Sequence, residues 1–262
     1  MKNMNTMTLL AAGTCAMIAA SAANAALVAA WDFQTTSTGG TAAVAAATTG
    51  VTNTTPKVYV SNFGSGTLYL DGSNSSSSFY LPATGGTSAE INAFGGTTVN
   101  ADTAIGMSTV TTGSSALAVV GGAASGSTFS ANGKSMVFKF SMSDYAGLSI
   151  SYATQRTGTG FTSQVLEYST NGTNWASIGS NTAIQTSFSA TAVPAGVATT
   201  FSGITGLNGA AVAYVRITFS GATSATGNNR LDNFQFNADA VPAPGAIALL
   251  GVAGLVGARR RR

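Results

Sequence analysis

Apolar residues in this chain come in short runs of strand length, each cut off by Gly, Asn or Ser. No stretch carries the dense Leu, Glu, Lys and Arg that build a surface helix. The clearest runs are residues 27–33, 57–60, 67–70, 79–81, 116–120, 135–141, 148–153, 162–168, 213–220 and 231–236. Many short strands with no helices between them cannot form parallel βαβ units, so the chain is predicted to be all-β, built from antiparallel sheets. Met136, Phe138 and Phe140 share one parity of their run, as do Leu148, Ile150 and Tyr152 of theirs, which marks core faces of half-buried strands. Asn171-Gly172 lies between the run ending at Tyr168 and Trp175, and predicts a tight hairpin in which both turn residues take positive φ.

Several chemistries are excluded by what the chain lacks. Histidine is absent, and the one cysteine, Cys15, sits in the apolar leader. Cys/His metal sites, Ser-His-Asp and Cys-His nucleophile systems and any imidazole base are therefore ruled out of the body. The formal charge of +3 gives no reason to expect nucleic acid. Without Lys2 and the C-terminal arginines, six basic residues face the eight acids, a net charge of −2 over residues 26–239. Glu90 and Glu167, the only glutamates, fall in a loop and on a strand with nothing to bring them into one cleft, as glycoside hydrolysis needs. The expectation is a protein that is not an enzyme and takes no cofactor and no metal.

The two ends carry a different kind of information. Lys2 precedes an apolar run, residues 7–20, long enough for a signal-peptide core and short for a membrane span of about 20 residues. Ala23-Asn24-Ala25 supplies the small-x-small pattern of signal peptidase, which places cleavage between Ala25 and Ala26. At the other end Val241, Pro242, Ala243, Pro244 and Gly245 open an apolar stretch over residues 246–258, closed by Arg259, Arg260, Arg261 and Arg262. Proline keeps the opening extended, and the arginines hold the far end on the cytoplasmic side. Over its last 22 or so residues the chain resembles PEP-CTERM sorting-domain proteins, with Ala243 where glutamate is usual. The resemblance implies an exosortase-type membrane protease as processing partner, transient anchoring in the inner membrane and a final place at the cell surface or outside the cell.

The chain thus divides into a signal peptide (1–25), a sandwich domain (26–239) and a sorting segment (240–262), with an N-terminal signal helix and a short C-terminal hydrophobic helix flanking the β body. The run ending in Trp31-Asp32-Phe33, the segment from Thr159-Gly160-Phe161 to Trp175, and Asn229-Arg230-Leu231-Asp232-Asn233-Phe234 resemble jelly-roll, carbohydrate-binding-like domains of exported bacterial proteins. That resemblance implies an antiparallel sandwich whose first and last strands lie side by side.

Three residues of the body are candidates for a ligand face. On residues 213–220, Val215, Ile217 and Phe219 occupy one face, while Tyr214, Arg216 and Thr218 occupy the other. An aromatic beside a guanidinium suits a surface that stacks on sugars and hydrogen-bonds them. Asp232 shares parity with Phe234 and Phe236, so a carboxylate on that core-facing row is expected to need Arg230 or Arg216 as partner. The functional expectation is a non-enzymatic surface or extracellular-matrix protein, with an exopolysaccharide-binding module as the alternative.

Overall fold

The computed structural model describes residues 25–34, 57–81, 89–111, 115–122, 130–186 and 198–242. Residues 1–24, 35–56 and 243–262 lie outside them, and with them both flanking helices expected from the sequence. Among the described residues no helix is long and apolar enough to cross a membrane.

Among the described residues thirteen strands build two antiparallel sheets. In chain order they are β1 (Ala25–Trp31), β2 (Val58–Val60), β3 (Phe63–Gly64), β4 (Gly66–Tyr69), β5 (Ile91–Phe94), β6 (Ala116–Val120) and β7 (Ser135–Phe140). There follow β8 (Tyr145–Arg156), β9 (Ser163–Ser169), β10 (Ala176–Asn181), β11 (Ala198–Ile204), β12 (Ala213–Ser220) and β13 (Asn228–Ala240). Sheet A runs β11-β8-β13-β1-β3, with β6 also on β13 and β5 on β6; sheet B runs β10-β9-β12-β7-β4-β2. Counting β1 and β7 to β13 as strands one to eight, the sheets read 1-8-3-6 and 2-7-4-5, the double Greek key of a jelly roll. β13 is the spine of sheet A: β8 follows it on one side, while on the other β6 takes its first residues and β1 its last, with Trp31 opposite Phe234 and Ala25 opposite Asp239.

The core between the sheets is aromatic. Trp31 packs edge-on to Phe138 and Phe236 at 5.0 and 5.6 Å, and Tyr152 stacks on Phe234 at 4.7 Å. Such pairs add about 0.5–1.5 kcal/mol each beyond the area they bury. Gly66 makes room for this cluster, since a Cβ there would sit 2.8 Å from the Trp31 ring. A buried polar network stitches the sheets together at one side. Tyr152 of β8 donates its hydroxyl to Gln164 of β9 at 2.8 Å, Gln164 donates to Thr154 at 2.9 Å, and Asn181 of β10 donates to Thr199 of β11 at 2.8 Å.

Three local expectations are corrected. Residues 79–81 form no strand; an isolated bridge joins Asp71 to Ser78 just before them, and the Phe79 amide donates to the Leu70 carbonyl at 3.0 Å. The hairpin β9–β10 exists, but its connection spans residues 170–175 and only Gly172 takes positive φ. Asn171 instead accepts from the Thr173 and Asn174 amides at 2.9 Å, which closes the longer loop through a side chain. The third concerns Asp232. In the β13–β8 register Asp232 faces Ala153 and Gln235 faces Ser151, so two residues stand opposite Tyr152. This bulge, with Asn233 at φ 49, reverses the parity of the strand: Phe234 and Phe236 point into the core, and Asp232 points away from it.

Candidate functional site

The outer face of sheet B collects polar and aromatic side chains in register. β12 buries Ala213, Val215, Ile217 and Phe219 and turns Tyr214, Arg216 and Thr218 outward, as its alternation predicts. Antiparallel pairing then lines up one row of Ser169, Tyr214, Lys139, Thr67 and Val60. The next row holds Ser177, Glu167, Arg216, Val137 and Tyr69. Trp175, the residue before β10, reaches Arg216 of this row from the β9–β10 connection.

Arg216 is the hub. Its Nε and Nη2 donate to the same Glu167 oxygen, Oε2, at 2.8 and 2.6 Å, and its guanidinium lies 4.2 Å above the Trp175 ring. Both members of the ion pair keep 24% of their side-chain surface in solvent, so the pair is half-buried and still screened by water, and its net worth is small. Its effect is positional: the planar fork fixes the indole over the sheet. In the neighbouring row Lys139 holds its ammonium 5.6 Å from the centre of the Tyr214 ring and donates to Asn74 Oδ1 at 3.3 Å. Gly172, at the tip of the β9–β10 loop, lies against the Tyr214 ring, where a Cβ would meet it at 3.5 Å.

Beside Lys139 the face dips into a groove of about 390 Å3, bordered by Val60, Ser65, Thr67, Tyr69, Lys139 and Ser141. This is within the ~300–1,000 Å3 typical of small-ligand sites. A second cleft of about 270 Å3 opens between β9, β10 and β11, with Tyr168 and Phe201 in its wall.

No family model matches the sequence, and no curated protein does. Solved structures resemble the sandwich at low identity. TmCBM61 in complex with β-1,4-galactotriose is 10% identical with a TM-score of 0.33, over 57% of this chain and 83% of that one. The K2 cleaved adhesin domain of Lys-gingipain gives 14% and 0.32, over 56% and 88%. The K1 adhesin domain from Porphyromonas gingivalis W83 gives 8% and 0.33, over 57% and 83%. Likenesses at these identities and scores do not bear on what this chain binds.

Asp232 is not part of the outer face of sheet B. It lies in sheet A, fully buried beneath the segment from Gly96 to Ser108. It pairs with neither Arg230 nor Arg216: Oδ2 accepts from the Thr97 amide at 2.9 Å and Oδ1 from the Asn233 amide at 2.9 Å. Arg230 instead sits 4.9 Å over the Phe94 ring. Burial pushes the Asp232 carboxyl well above the usual carboxylate range, two backbone donors work against that, and the Asp32 charge adds to it. The same overlying segment is pinned by Asn233, which donates to the Thr97 and Val99 carbonyls, and by Asp32, which accepts from the Ser108 amide.

Glu90 is fully buried and held by Lys134, Ser130 and the Tyr80 amide. With Glu167 tied to Arg216, each glutamate is committed to a separate cation on the protein. Among the described residues no group of three Asp or Glu side chains gathers to hold a metal ion.

Of the three candidate ligand residues, then, Tyr214 and Arg216 come together and Asp232 does not. Sequence reasoning missed Trp175, Glu167, Lys139 and Tyr69, all brought to the face by cross-strand register. Trp175 was legible as an aromatic beside a turn, yet its contact with Arg216 depends on β9 lying between β10 and β12. Of the residues expected to form a sorting motif, Val241 and Pro242 are described: they leave β13 exposed, with the Val241 amide donating to the Asp144 carbonyl at 2.8 Å. Ala243 to Gly245, the four arginines and Ala23 lie outside the described residues, while Ala25 and Ala26 open β1 opposite Asp239 and Ala238.

Proposed function

We propose that this chain is an exported, non-catalytic surface protein whose sandwich binds polysaccharide through the outer face of sheet B. The observation that carries the reading is the cluster of Trp175, Arg216 and Glu167 lying beside Tyr214 and Lys139 across three adjacent strands, β9, β12 and β7, and the loop before β10. None of these side chains is needed by the core, which closes from the opposite side of the same strands. Flat aromatic rings suit the apolar faces of sugars, and fixed guanidinium, carboxylate and ammonium groups suit their hydroxyls. The burial of Glu90 and the pairing of Glu167 argue against hydrolysis, because two available carboxylates would have to flank one bond.

The ends supply the route. Signal peptidase acts between Ala25 and Ala26, and the Pro242 to Arg262 tail delivers the protein to an exosortase-type protease that trims it near Pro244. After passing through the inner membrane the sandwich stays at the cell surface or in the surrounding matrix.

A glycan-array screen of the purified protein tests the binding role. Retention of one or more polysaccharides, lost in Trp175→Ala, is the expected result. Failure to retain any glycan removes the binding role and leaves a passive matrix component. Intact mass of the protein recovered from its producing cells tests the route: a chain that still carries Met1 or Arg262 overturns it.

A further inference from the structure

We infer that the groove beside Lys139 receives an acidic sugar, a uronate whose carboxylate pairs with the Lys139 ammonium. This deepens the polysaccharide-binding reading and rests on it.

The argument begins with charge. Every Asp and Glu of the chain lies among the described residues, and the ion pairs there are Lys134 with Glu90 and Arg216 with Glu167. Lys139 therefore has no carboxylate partner. Its neighbours are an amide oxygen, Asn74 Oδ1, and the Tyr214 ring, which steady the ammonium without neutralising it. A lysine on an open surface would spread its charge into solvent. This one is half-buried and fixed by two contacts at the wall of a concavity of about 390 Å3. A preorganised cation at the edge of a groove binds an anion with little further ordering.

The rest of the wall sets the class of anion. Thr67 and Tyr69 of β4 and Ser65 and Ser141 at the ends of the groove present hydroxyls, and Val60, 41% exposed, and Val212, 38% exposed, present apolar surface. Hydroxyl donors, apolar patches and one cation in a shallow groove fit a sugar ring with a single carboxylate better than they fit a multiply charged phosphate. Lys139 and Tyr214 are cross-strand neighbours, so the groove is continuous with the aromatic rows, and one polymer can run across both.

The test compares polygalacturonate with its carboxyl-reduced form, which keeps the backbone and converts each carboxylate to an alcohol, in titrations with the full-length protein. The wild type is expected to bind the acidic polymer at least ten-fold more tightly, with the preference shrinking as salt rises from about 50 to 300 mM through screening. Lys139→Met retains the stem over Tyr214 and should lose the preference with an unchanged melting temperature; Lys139→Arg should keep it. Equal affinity for the two polymers, or a preference that survives Lys139→Met, overturns the inference while polysaccharide binding stands. Binding of neither polymer, together with an empty glycan array, overturns both.

Discussion

Arg216 lies over Trp175 with its guanidinium 4.2 Å from the ring centre while the same group holds Glu167. One planar cation thus joins the loop after β9 to the middle of sheet B. Lysine could keep the charge but neither the stacked plane nor the fork. Arg216→Lys is expected to cost about 1 kcal/mol in thermal or urea unfolding, the combined scale of a solvent-screened ion pair and a partly exposed cation–π contact. It should also broaden the Trp175 fluorescence, as the indole loses its fixed position. An unchanged emission spectrum would show that the loop, not the arginine, orients the ring.

Tyr214→Ala should weaken glycan binding about ten-fold or more, since a stacking aromatic is worth on the order of 1–2 kcal/mol. The domain should stay folded, because Tyr214 projects from the solvent side of β12. Far-UV circular dichroism beside a binding titration separates the two effects. Loss of the β signal would mean that this ring, with Gly172 against it, is structural.

Gln164 is the node through which the sheets share hydrogen bonds. Gln164→Leu keeps similar bulk but leaves the Tyr152 hydroxyl, fully buried, without its acceptor. Denaturant unfolding should register a loss of about 1–3 kcal/mol. A loss below about 0.5 kcal/mol would indicate that another acceptor takes over.

The buried Asp232 gives a signed pH effect. Its carboxyl is raised in the folded chain, so the folded state binds the proton more tightly than the unfolded state does. The stability this gives is fully present below the unfolded value of about 4 and is lost as pH rises toward the folded value. Asp232→Asn, which cannot ionise, should remove that decline, so the gap in melting temperature between variant and wild type should change steadily across pH 4–7. A gap that stays constant over this range would mean that Asp232 is ionised in the folded protein throughout.

Much of the fold was legible because alternation is a local signal. The limits of β6 and β12 follow from their own residues, as does the inward set Val215, Ile217 and Phe219. What was not legible depends on partners. β10 and β11 are edge strands rich in Ser, Thr, Gly and Ala, whose pairing with β9 and β8 leaves little apolar imprint. Asp232 was assigned to the core row because a period of two was carried through Asn233, where one extra residue inverts it. The candidate site was half visible: Tyr214 and Arg216 share a strand face, whereas Lys139, Glu167 and Trp175 join them only after three hairpins and crossovers have been closed.

The place of β13 also sets when the protein can fold. It is the last of the described strands in chain order, yet it lies in the middle of sheet A between β8 on one side and β1 and β6 on the other. Until Asn228 to Ala240 are available, β1 and β8 have no common neighbour, and Trp31 lacks Phe236 to pack on. Closing that pairing joins opposite ends of the sequence, a slow step for a chain with so many non-local contacts. A nascent chain therefore remains without a closed core, and sheet A closes only when residues 228–240 have emerged.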